Sequence, residues 1–187
     1  LVLFLQAQAL PFGNGPSLAE PDTEAVTPRL QESYLQGSDP YLTRIAQLNS
    51  EFLATVPDLQ KKRDLLGIQK AMTKLNGSWV EIRTGLIGLT PPSECETYHA
   101  ALSRMVEVQL ASNAVLLETV NKGLALTAEI KTMKASGATE EAMKARIAEF
   151  AAERQEIAQR LASLKGEAQA LDETLRSERE RLEPSSP

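Results

Sequence analysis

Residues 143–182 read MKARIAEFAAERQEIAQRLASLKGEAQALDETLRSERERL, and this stretch decides the fold. Alternate steps of four and three residues from Met143 meet Ile147, Phe150, Arg154, Ile157, Leu161, Leu164, Ala168, Leu171, Leu175, Glu178 and Leu182. Ten of these twelve positions are apolar, and no proline falls between Thr139 and Glu183. A strict seven-residue repeat keeps one stripe of a helix facing a partner over many turns. The fold class is therefore all-α, with long helices packed side by side.

The seam extends backwards through a short turn. Ser136-Gly137-Ala138-Thr139-Glu140-Glu141 places a glycine where a left-handed residue ends one helix and a threonine where the next needs an N-cap. A connection this short makes its flanking helices antiparallel neighbours. Upstream, Leu102, Val106, Leu110, Leu117, Val120 and Leu124 line one helix face. Met105, Val108, Leu116, Leu126 and Ile130 broaden it enough to touch two neighbours. Each arm of this hairpin has about 44 residues, or roughly 65 Å. Beyond Leu164 the last helix narrows to a coiled-coil stripe flanked by Lys165, Asp172 and Arg179. Its charged end is expected to project from the bundle or pair with another chain, through Leu171, Leu175, Arg176, Arg179 and Leu182.

Thr90-Pro91-Pro92-Ser93 marks the boundary before that hairpin. Ahead of it, Leu65, Ile68, Met72, Leu75, Trp79, Ile82, Leu86 and Leu89 step by three and four without a polar exception. The first helix is expected to open at Asp39-Pro40, a cap followed by a proline. Pro57 interrupts the run. No glycine or asparagine cluster beside it supplies a reversal, so the pattern favours one helix kinked at Pro57. Gly77, Gly85 and Gly88 in this run either admit a close neighbour or mark a flexible end. The expected architecture is an elongated antiparallel three-helix bundle over residues 39–183. A four-helix count follows if Pro57 is a true turn.

The ends read differently. Leu1 to Leu5 is a short apolar run, followed by Ala7-x-Ala9 with the small residues that signal peptidase accepts. Residues 1–9 read as the remnant of a secretory signal, and the protein is expected outside the cytoplasm, secreted or periplasmic. The run is shorter than the roughly 20 residues a membrane span needs, so no span is expected in the mature chain. Residues 10–38 read as a linker rich in proline and glycine, with one short helix available between Thr27 and Gly37. Residues 184–187 read as a disordered tail.

Composition limits function. Hydrophobic residues make up 42% of the 187, but aromatics only 4%, which suits aliphatic bundle cores. A net charge of −5 argues against nucleic acid, whose affinity comes mainly from Lys and Arg on phosphates. With Cys95 the sole cysteine, no disulfide forms within the chain. Cys95 and the single His99 lie four apart on one helix face, which supplies two metal ligands at most. No catalytic residue, metal site or cofactor is expected, and no di-iron centre. Asn113 falls at a core position and could fix register. Trp79 occupies a seam position and reads as core filling.

The stretch from Leu86 to Leu102, with Pro91-Pro92 ahead of Cys95, Tyr98 and His99, resembles small secreted bacterial helical-bundle proteins of unknown function. That resemblance implies an extracytoplasmic bundle without catalytic residues. A looser similarity is to periplasmic holdase chaperones with long helical arms, but those trimerise through strands and this sequence shows none. Two functions are therefore expected as alternatives. One is a non-enzymatic scaffold or adaptor that binds a protein partner or a second copy. The other is a ligand- or cofactor-sensing bundle with a small pocket near Trp79, Cys95 and His99.

Overall fold

A computed structural model describes residues 26–183; the signal-like start, most of the linker and the tail 184–187 lie outside the described residues. Four helices follow one another: α1 Val26–Lys61, α2 Leu65–Ile87, α3 Glu96–Ala135 and α4 Glu140–Leu182. Among the described residues there is no strand, and no helix is long and apolar enough to cross a membrane.

Successive helices pack antiparallel, as their cross-helix bonds show. Between α2 and α3, Gln69 Nε2 donates to Asn121 Oδ1 at 2.7 Å and Arg83 pairs with Glu107 at 3.7 Å. Between α3 and α4, Arg104–Glu167, Glu118–Arg160, Lys122–Glu153 and Glu129–Arg146 join residues roughly equidistant from Gly137. The start of α1 closes against the end of α4: Gln31 Nε2 donates to the Leu182 carbonyl, and Arg179 pairs with Asp39.

The expected kink at Pro57 is corrected. Pro57 lies inside α1, and the chain reverses five residues later at Lys62–Asp64. Arg63 takes the left-handed position, with φ of 55°. Asp64 caps α2 by accepting from the Gly67 amide at 2.8 Å. Among the described residues the count is thus four helices rather than three. The start of the first helix is corrected as well. It begins at Val26 and runs unbroken through Asp39 and Pro40, so residues 26–38 are helical rather than linker. Both prolines deprive a carbonyl four residues back of its donor. Those residues, Gln36 and Leu53, have exposed side chains, and water can serve their carbonyls on that side.

The other boundaries agree closely with the sequence. Gly137 has φ of 78°, the Ala138 amide bonds the Met133 carbonyl, and Thr139 Oγ1 accepts from the Ala142 amide. A 3₁₀ turn, Ser93–Cys95, precedes α3 after the Pro91-Pro92 break. Of Gly77, Gly85 and Gly88, Gly85 is the one a neighbouring helix approaches closely. A Cβ there would lie 2.5 Å from Tyr41 Cε1, whereas Gly77 faces open space.

The core has two apolar parts. The larger joins Tyr34, Leu35, Ile45 and Leu48 of α1 to Trp79, Ile82 and Leu86 of α2, Leu102, Met105, Val106 and Val108 of α3, and Ala168, Leu175 and Leu182 of α4. The smaller joins Phe52 and Val56, Ile68 and Met72, and Leu116 and Val120. Gln109, Ser112 and Asn113 are buried between them on α3.

Candidate functional site

Helix lengths leave the two ends of the bundle unlike. At one end, α1 extends past α2 and lies across the start of α3 and the end of α4. Here Tyr34 Oη and His99 Nδ1 are 2.7 Å apart. Burial, with Tyr98 and Cys95 adding to it, pushes the Tyr34 phenol above its ordinary value, so the hydroxyl keeps its proton to donate. The tautomer protonated at Nε2 then serves both ring contacts, the other being Ser103 Oγ at 3.5 Å. The Tyr34 ring meets Tyr98 edge-on at 6.4 Å. The Tyr98 hydroxyl is buried without a well-formed hydrogen bond, although Ser38 and the Arg179 guanidinium are its polar neighbours.

Arg179 organises the rim of this cluster. Burial opposes its charge, but hydrogen bonds from Nη1 to Asp39 at 2.6 Å and from Nε to Glu183 at 2.8 Å outweigh it and hold the guanidinium above its ordinary value. Arg181 donates to the Glu94 carbonyl at 2.7 Å, tying α4 to the turn before α3. Cys95 is fully buried, and burial pushes its thiol up. A protonated, enclosed thiol is a poor nucleophile, and the His99 ring turns to Tyr34 and Ser103 instead. Glu96-Thr97-Tyr98-His99 does carry one copy of the Glu-x-x-His spacing used by di-metal bundle sites. Glu96 is exposed, and among the described residues no three His, Cys, Asp or Glu side chains gather as ligands.

The residues expected to form an interaction surface lie at this closed end. Leu175 and Leu182 are 5% and 2% exposed within the chain's own core, and Leu171 packs on the same core. Arg179 is held as described. Arg176 pairs with the buried Asp172 at 2.7 Å. α1 covers the last turns of α4, so the C-terminal end does not project. Trp79 is 1% exposed. Its level along α2, set by the Gln69–Asn121 and Arg83–Glu107 contacts, is near Ala111. That is some sixteen residues, about 24 Å, from Cys95, so the two share a core but not a pocket.

The end that does project is the opposite one. Leu65 at the start of α2 packs level with Gly123 of α3, where a Cβ would lie 3.7 Å from Leu65 Cδ1 and 3.9 Å from Phe150 Cζ. From there α3 continues to Ala135, twelve residues or about 18 Å past the α1–α2 turn. Over this length, among the described residues, α3 and α4 have only each other. Leu126, Ile130, Met133, Met143 and Phe150 are half-buried, and Ile147 is 49% exposed although it lies on the seam. Leu66, at the base of this hairpin, is 57% exposed. A shallow groove of about 470 Å³ also runs along the outer α3–α4 face, lined by Ala111, Ala114, Val115, Arg160, Ser163 and Leu164.

Comparison with known proteins finds no matching family model, no matching curated protein and no matching solved structure.

Proposed function

We propose that this chain is a non-enzymatic helical-bundle protein that works outside the cytoplasm as a scaffold or adaptor, docking a protein partner on the projecting end of the α3–α4 hairpin. The observation that carries this reading is the seam left uncovered past the α1–α2 turn. A heptad stripe with neighbours on one side only is what a helical partner completes, as in a coiled coil. The two-helix stub presents Ile130, Met143, Ile147 and Phe150 along that stripe, with Leu66 at its base. The apolar run before Ala7-x-Ala9 supports the extracytoplasmic assignment.

The chemistry elsewhere supports a binding role over catalysis. The thiol of Cys95 is enclosed and held protonated, and the imidazole of His99 is engaged by Tyr34. The test is site-directed photocrosslinking in cells that express the full chain. A benzoylphenylalanine at Ile147 should give a discrete crosslinked species that the same probe at the exposed Ser177 does not. Crosslinks from residue 177 with none from residue 147 would overturn the assignment of the docking surface.

A further inference from the structure

We infer that the waist of the bundle is a buried hydration site, in which an ordered water accepts hydrogen bonds from the side-chain amides of Asn49 and Asn113. Asn49 stands in the α1 stripe Ile45, Asn49, Phe52, Val56, and Asn113 in the α3 stripe Val106, Gln109, Asn113, Leu116, Val120. The Tyr34–His99 bond fixes the offset of these two helices, which run in the same direction. Carried along α1, that offset sets Asn49 level with residue 114. The α1–α2 contact of Tyr41 with Gly85 and the α2–α3 contacts give the same level independently. Both asparagines therefore lie at the level where the core divides into its two apolar parts.

Nδ2 of Asn49 and Nδ2 of Asn113 are both buried without a hydrogen-bond partner, and Asn113 as a whole is only 1% exposed. An orphaned amide donor in such a place is costly, and an ordered water supplies the acceptor it lacks. Water is small enough, is present in excess, and prefers sites with two to four polar partners. Gln109 and Ser112, both buried on the same turns of α3, supply the remaining polar wall. The water would thus satisfy two donors that the fold otherwise leaves empty-handed, and would keep a polar layer intact that an apolar core would lack.

Oxygen-17 magnetic relaxation dispersion on the full chain tests this. The wild type should show long-lived internal water, and the Asn49→Leu/Asn113→Leu variant should lose on the order of one water per molecule from that signal. An equal dispersion amplitude in the two proteins would overturn the inference. Should the double variant lose its helical circular dichroism, diffraction from wild-type crystals decides. Water density within about 3 Å of both Nδ2 atoms is the expected result. A direct Asn49–Asn113 bond, or a dry gap between them, would refute it.

Discussion

Cutting the ion pair between Arg179 and Asp39 should loosen the end of α4 from α1 by a bounded amount. The pair joins Nη1 to Oδ1 at 2.6 Å, with the two side chains 21% and 34% exposed. A hydrogen bond to a charged group contributes about 1.5–3 kcal/mol when shielded. Fully exposed pairs contribute roughly 0.2–1 kcal/mol. The partial exposure here sets the coupling near 1 kcal/mol. The single variants should be unequal. Asp39→Ala leaves Glu183 to hold the guanidinium, 2.8 Å from Nε, and should cost about 1 kcal/mol. Arg179→Ala removes both bonds and the packing of the arginine stem, and should cost about 2 kcal/mol. Urea denaturation of the wild type, both singles and the double closes the cycle. In 1 M salt the coupling should shrink, because screening then acts over about 3 Å. A coupling of zero at low salt would refute the docking of α4 on α1 through this pair.

Other substitutions test other links. Arg63→Gly should raise stability by up to about 1 kcal/mol, because Arg63 holds a left-handed φ of 55° that costs a side-chain-bearing residue roughly 1–2 kcal/mol; a fall in the urea midpoint would contradict this. Gly77→Ala should gain about 1 kcal/mol from helix propensity, since nothing lies within 4 Å of the added Cβ. Gly85→Ala should fall short of it by at least roughly 1 kcal/mol, because its Cβ would meet the Tyr41 ring; thermal melts that rank the two equally would contradict the packing. Burial pushes the Asp172 carboxyl up, with Arg176 opposing. The folded state therefore binds more protons than the unfolded state just above the ordinary aspartate range, and this side chain makes stability fall as pH rises through that window. Asp172→Asn should flatten that fall, as read from urea midpoints across the window.

The turns show why some boundaries were legible and others were not. The α3–α4 reversal uses Gly137 and Thr139, whose conformational and capping preferences are written in their side chains. The α1–α2 reversal places Arg63 in the left-handed position, where a glycine or asparagine is the usual signal. Asp64 was the readable sign, three residues ahead of the Gly67 amide it caps. Pro40 misled for a related reason: a proline after an aspartate marks a helix start, but a helix interior tolerates it where the orphaned carbonyl meets water.

The helical character of residues 143–182 was legible in the spacing, and Ile157, Ala168, Leu175 and Leu182 of that stripe are buried, because burial against any partner selects the same heptad. Which partner covers each turn is set by helix lengths, and these depend on where α1 starts and α2 begins. With α1 starting at Val26 and α2 at Leu65, the covered and uncovered ends exchange places relative to the sequence expectation. Asn113 stood out because it breaks an apolar stripe. Asn49 breaks one too, but its stripe is short and lies beside several polar residues, so the pair emerges only when the helices are in register.

Hydrogen exchange of the full chain, read by mass spectrometry, tests the central claim most directly: that the C-terminal seam closes inside the bundle and the far end of the α3–α4 hairpin stands alone. Backbone amides opened by local unfolding exchange according to how much packing holds them. Residues 98–120 and 168–182 should be strongly protected, and residues 125–150 should exchange much faster. Fast exchange across residues 168–182 with protection of residues 125–150 would contradict the account.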